Sequence, residues 1–147
     1  MIKLARQWCT LFGLGHLPGR GTLASALIFI VAYFVLGINT LVGQILLAAM
    51  VLISVLLTYS AAKLYTQTDP LEIISDEVAA SALLALIIPY SWLWFLIAFV
   101  LFRFFDISKI LGIKQLETLP GATGILTDDF GAVLYSYIII IITHIWL

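Results

Sequence analysis

Charge is what this 147-residue sequence has least of: seven Lys and Arg with eight Asp and Glu make up 10% of it. A soluble domain carries about 25%. Residues 21–62, 78–102 and 130–147 hold no formal charge at all. A single cysteine, Cys9, excludes an intramolecular disulfide and a thiolate metal cluster within one chain. The net charge of −1 provides no clustered basic field, which argues against nucleic acid as a partner. No Walker lysine follows a glycine-rich loop, and there is no G-x-S-x-G elbow and no H-E-x-x-H run. P-loop nucleotide binding, serine hydrolysis and zinc proteolysis are therefore unsupported. The first twenty residues lack an apolar run followed by a small-residue cleavage site, so we read no removable targeting peptide there.

Apolar residues fill the space: 63% of the chain is hydrophobic and the mean hydropathy is +1.18. Desolvating an ammonium or carboxylate in hydrocarbon costs several kcal/mol. Long uncharged stretches therefore mark an integral membrane protein, read here as one membrane-embedded domain over residues 1–147. Residues 21–62 are about twice the ~20 residues of one spanning helix and should form a hairpin. Gly37-Ile38-Asn39-Thr40 breaks it into arms Leu23–Leu36, short or tilted, and Leu41–Ala62. Pro89-Tyr90-Ser91 divides a second, shorter hairpin into Leu71–Ile88 and Trp92–Phe105, with Asp69 as N-cap and Pro70 in the first turn. Phe130–Leu147 supplies a fifth span, and Tyr90, Trp92, Trp94 and Trp146 suit interfacial positions. Residues 1–13, with Leu4, Trp8, Leu11 and Phe12 beside Lys3 and Arg6, suit an amphipathic helix in the interface. The expected fold is an all-α polytopic membrane bundle of about five spans plus this N-terminal interfacial helix.

If both hairpins enter and return, the three charged blocks (Lys3 to Arg20, Lys63 to Glu77, Arg103 to Asp129) meet on one side. All seven Lys and Arg lie there, which the positive-inside rule makes the cytoplasmic side, leaving only the C-terminus across the bilayer. The same layer gathers Asp69/Glu72/Asp76/Glu77, Asp106 and Asp128/Asp129. Hard oxygen ligands without Cys or His favour Mg²⁺ or a similar ion, which usually takes one or two carboxylates plus substrate phosphate oxygens. Helix neighbours point about 100° apart, so within Asp76-Glu77 and Asp128-Asp129 one residue of each pair can face the metal and the other a base or an orienting bond. The bland alternative is solvated carboxylates at helix ends.

Arg103, Asp106 and Lys109 stand at i, i+3 and i+6, broadly on one helical face, where Arg and Lys can grip a phosphate or merely form weak surface pairs. Gly13-Leu14-Gly15-His16-Leu17-Pro18-Gly19-Arg20-Gly21-Thr22 is a glycine-rich run into the first span, with Thr22 as N-cap and backbone N–H groups open to an anion. Gly121-Ala122-Thr123-Gly124 is a second small-residue loop ahead of Asp128-Asp129. His16 is as well explained by a bland loop bond as by base catalysis, and His144 reads as structural.

In order, Pro-Gly-Arg-Gly-Thr, Ser75-Asp76-Glu77, Phe102-Arg103-Phe104-Phe105-Asp106-Ile107-x-Lys109 and Gly121-x-x-Gly124-Ile125-x-x-Asp128-Asp129 resemble the phosphatidylglycerophosphatase A family over residues 13 to 133. Three positions depart from the family pattern: Arg20 where proline is usual, Ile110-Leu111-Gly112 for Pro-x-Pro, and Gly121-Ala122 for Gly-Gly. The resemblance implies Mg²⁺-dependent removal of the terminal phosphate from phosphatidylglycerophosphate, a membrane lipid, giving phosphatidylglycerol. On that footing Asp76, Glu77, Asp128 and Asp129 are candidate metal ligands, and Asp106, Asp129 and Glu77 are candidate catalytic groups. Arg20, Thr22, Arg103 and Lys109 are candidate phosphate contacts. A lipid phosphotransferase lacks its spaced acidic signature here. A non-catalytic scaffold or transporter subunit is the alternative from another class, although transport calls for ionisable groups inside spans and the uncharged stretches have no Asp, Glu, Lys or Arg.

Overall fold

The structure, a computed structural model, describes residues 18–62 and 74–146. Its helices are α1 (Arg20–Ile38), α2 (Thr40–Ala62), α3 (Ser75–Ile87), α4 (Trp92–Ser108), the single turn α5 (Ile113–Leu116) and α6 (Ala122–Trp146). The expected interfacial helix 1–13, the glycine run up to Leu17 and the Asp69 cap with Pro70 lie outside the described residues.

Gly19 takes φ 69°, a left-handed value that costs a residue without Cβ little, and α1 starts directly after it. Thr22 is therefore not the N-cap but the third residue of the helix. The first arm is also longer than Leu23–Leu36: nineteen residues rise ~28 Å, close to the hydrocarbon thickness. Only Asn39 separates α1 from α2, and its Oδ1 accepts a 3.0 Å hydrogen bond from Val42 N. So tight a reversal presses α2 on α1 at Gly43, where a Cβ would stand 2.9 Å from Leu36 Cα and 3.0 Å from Leu36 N. Backbone cannot swing aside as a side chain can. Gly43→Val is accordingly expected to destabilise the protein by about 1–3 kcal/mol, read as a lower Tm in detergent.

The innermost helix is α3, in contact with α1, α2, α4 and α6. Its sequence explains the placement: Ala79, Ala80, Ser81, Ala82 and Ala85 are all buried, and small side chains let several backbones approach at once. Around it pack Ile28, Phe29, Leu47, Phe95, Phe102 and Ile140. The outward faces carry Leu27, Ile30, Leu46, Ile53, Leu134 and Ile142, all exposed, the surface that lipid rather than water would cover.

Among the described residues, three helices are long and apolar enough to cross a membrane: Arg20–Ile38, Thr40–Ser60 within α2, and Ala122–Trp146. At 13 and 17 residues, α3 and α4 are shorter than the ~20 of a straight crossing. Three of the five expected spans thus meet that length, and the other two form the shorter hairpin, interrupted at Pro89-Tyr90-Ser91 as expected. Tyr90 closes the turn of this hairpin: its hydroxyl donates to Tyr33 O at 3.1 Å and its ring stacks on Tyr33 at 5.1 Å. The last helix begins at Ala122, eight residues before Phe130. Ala122, Thr123 and Gly124 are therefore helical, and only Gly121 (φ 63°) remains of the expected small-residue loop.

Candidate functional site

The starts of α1, α3 and α6 and the end of α4 converge at one end of the bundle, bringing the charged blocks together. At the opposite end, Trp94 meets His144 edge-on at 5.4 Å, a structural role for this histidine. The first turn of α3 supplies Asp76 and Glu77, acidic residues that the helix dipole favours there. Their position is pinned from α2 by a buried 2.6 Å hydrogen bond between Thr58 Oγ1 and Ser75 Oγ. Arg103 and Asp106 come from the last turns of α4, and Asp128 and Asp129 from the second turn of α6.

Asp76, Glu77 and Asp129 each place one carboxylate oxygen so that the three lie within 4.8 Å of one another. Asp76 and Asp129 are buried, at 9% and 3% exposure. Moreover, Asp76 Oδ1, Glu77 Oε2 and Asp129 Oδ2 are buried without a hydrogen-bond partner. An orphaned polar atom costs about 1–3 kcal/mol, more when it is charged. Like charges gathered out of water repel one another unless a counter-charge sits among them. Three carboxylates of the hard type, converging and each with a buried oxygen unspent, fit a metal ion. This cluster can hold one.

Arg103 borders the carboxylates. It forms an ion pair with Asp106, and its Nε is buried without an acceptor. Gly21, on α1, faces both groups: a Cβ there would overlap Glu77 Oε1 and stand 3.1 Å from Arg103 Nη2. Arg20 and Thr22 flank it, both half-buried. Leu23 N is bonded to Gly19 O at 3.0 Å, whereas the N–H groups of residues 20–22 precede the first intrahelical acceptor. That geometry suits an anion.

Lys109 departs from the expected common face. The helix ends at Ser108, and Lys109 sits beyond it in the left-handed region, φ 46°. Its Nζ lies 2.9 Å from Asp128 Oδ2 and 3.0 Å from Glu117 Oε2. Burial works against the ammonium, but the hydrogen bonds and charges of Asp128 and Glu117 outweigh it and raise the Lys109 pKa. A raised pKa contributes stability that is fully present below the unfolded value and lost only as pH rises through the folded one. Lys109→Met should therefore lower Tm throughout the neutral range, with a loss of about 1–2 kcal/mol for a hydrogen bond to a charged group.

Glu117 is absent from the sequence-derived set, and Gly21 entered it only as part of the glycine-rich run, for its backbone N–H. Glu117 carried one signal, an acid in the third charged block. Gly21 looked like any glycine at a helix start, because the side chains it makes room for come from α3 and α4.

A carboxylate set that suits a cation, beside an arginine and an anion-compatible helix start at one end of an apolar bundle, defines a membrane-embedded phosphate-ester enzyme. The chain belongs to the phosphatidylglycerophosphatase A family, whose model matches residues 7–144, and it is a lipid phosphatase. It is 34% identical over 142 residues to a Bacteroides thetaiotaomicron protein named "Putative phosphatidylinositol-3-phosphatase", covering 90% of this chain and 89% of that one. It is also 42% identical over 77 residues to a Haemophilus influenzae protein named phosphatidylglycerophosphatase A, covering 51% of this chain and 47% of that one. No solved structure matches it.

Proposed function

We propose that this chain removes the terminal phosphate of phosphatidylglycerophosphate, giving phosphatidylglycerol, with Mg²⁺ at Asp76, Glu77 and Asp129. The observation that carries this reading is the convergence of three carboxylates, each with a buried oxygen lacking a partner, next to Arg103. Bound there, Mg²⁺ would polarise the phosphoryl group and offset its charge. Arg103 would donate its free Nε–H to a phosphoryl oxygen, and the first-turn amides of Arg20, Gly21 and Thr22 would face another. Asp106, oriented by Arg103, would accept the proton of the attacking water. Lys109 spends two of its three donors on Asp128 and Glu117, fixing Asp128 beside the trio and leaving one donor for substrate.

The site faces the cytoplasm of a bacterial inner membrane in this reading. The support is that Arg20, Arg103, Lys109 and Lys114 all belong to the carboxylate end, while the α1–α2 turn is at the other. In a Cys9→Ser background, Asn39→Cys should react with an impermeant maleimide added outside intact cells. Labelling only after the inner face is opened would reverse the orientation.

The name of the Bacteroides thetaiotaomicron relative supports a second substrate of the same chemistry, a phosphoinositide monoester. Phosphate release by purified protein from phosphatidylglycerophosphate and from phosphatidylinositol 3-phosphate, each in mixed micelles with Mg²⁺, separates the two. The proposal expects the first to be preferred in kcat/KM by tenfold or more, on the order of one well-placed headgroup interaction. A preference for the inositol lipid would transfer the assignment, and no release from either would leave the scaffold reading.

A further inference from the structure

We infer that the aromatic groove between α1 and α4 receives an acyl chain of the lipid whose phosphate is cleaved. This rests on the lipid phosphatase reading above and adds where the apolar part of the substrate lies. The groove encloses about 400 Å³, with a buried floor of Phe29 and Phe95 and rims that include Phe34 and Trp92. That volume is in the range of small-molecule sites, roughly 300–1,000 Å³.

Its position on the two helices argues for substrate rather than for any passing lipid. Ala26, at one end of the groove, follows Thr22 by four residues on one face of α1, a rise of ~6 Å. Phe99, opposite it, precedes Arg103 by four residues on α4, ~6 Å. Thr22 with Ala26 and Arg103 with Phe99 are i, i+4 pairs, so the groove begins about one helical turn below groups that face the phosphate in this reading, and it points away from them along the same seam. Ala26 is the smallest side chain of the lining, so the wall is lowest on the side of the carboxylates. Past the other end, Tyr90 stacks on Tyr33 and packs edge-on against Phe95, closing the seam after roughly 12 Å of helix. An acyl chain in a bilayer is already out of water, so the groove gains little from hydrophobic transfer. It acts by packing, holding the lipid in one lateral position so that its headgroup meets Arg103.

The test uses the full chain in mixed micelles with two probes, phosphatidylglycerophosphate and phosphatidylcholine, each carrying a diazirine on one acyl chain. The first probe should label residues 26–34 and 92–99 about fivefold or more over the second, the discrimination of a contact worth about 1 kcal/mol. Equal labelling by both probes means ordinary boundary lipid and overturns the proposal. In parallel, Ala26→Phe should raise KM for the long-chain substrate about fivefold or more while changing kcat/KM for a dibutanoyl analogue less than twofold. Loss with both substrates, or with neither, also overturns it. If the wild-type protein releases no phosphate, the phosphatase reading fails, and the labelling ratio still decides whether the groove prefers the phosphate-bearing lipid.

Discussion

Asp129→Asn should lower phosphate release by about a thousandfold while the bundle stays folded, because it deletes a charge from the trio that counters the metal and substrate. Asn keeps the shape and can offer its amide oxygen, so a purely structural role would leave activity near wild type. Two readouts separate a lost metal ligand from damaged packing. Wild-type protein should gain Tm as Mg²⁺ is added, since an ion bound only by the folded state stabilises it by mass action. Asp129→Asn should lose most of that gain. Without Mg²⁺ its Tm should be no lower than wild type, because the substitution removes one of several like charges crowded at the start of α3. A variant that melts early with or without Mg²⁺, and keeps the metal-dependent gain, would show Asp129 to be a packing residue.

Gly21→Ala should cost about a hundredfold in kcat/KM with little change in Tm. The added methyl overlaps Glu77 Oε1 and crowds the Arg103 guanidinium. Both are far ends of flexible side chains and can move aside without unfolding α1. What they cannot do is move and still keep their places relative to Asp76, Asp129 and a bound phosphate. Helix propensity acts in the other direction, since Ala is favoured over Gly by about 1 kcal/mol in a helix interior. Stability and activity should therefore part company at this position, and circular dichroism melts beside steady-state phosphate release would show it. Near wild-type activity in Gly21→Ala would remove Gly21 from the site.

The sequence made the meeting of the charged blocks legible, because charge is expensive in hydrocarbon and two uncharged stretches long enough to turn back return their flanks to one side. Asp76, Glu77 and Asp129 do converge, from helices separated by up to fifty-three residues of chain. Which carboxylates converge was not legible. Asp128 and Asp129 are neighbours with identical side chains, and only the phase of α6, begun at Ala122, turns Asp129 to the trio and Asp128 to Lys109. That phase depends on where the helix starts, and the stretch of small residues before it read as loop.

The same difficulty recurs at the other helix ends. Thr22 is a good capping residue by type, but Gly19 in the left-handed region starts α1 three residues sooner. Lys109 fits a helical i+6 position until α4 stops one residue short of it. Gly21 is a matter of clearance between three helices, which one-dimensional periodicity does not carry. By contrast, the Pro89 break and the reversal at Asn39 were legible, since proline cannot continue a helix and the Asn39 side chain caps the next one.

The central claim is that the buried trio works with a divalent cation on a lipid phosphate. Its most direct test is phosphate release from phosphatidylglycerophosphate by the purified chain, measured in EDTA and again after Mg²⁺ is restored in excess. The account predicts no release above background in EDTA and full recovery with Mg²⁺. Undiminished release in EDTA would contradict it.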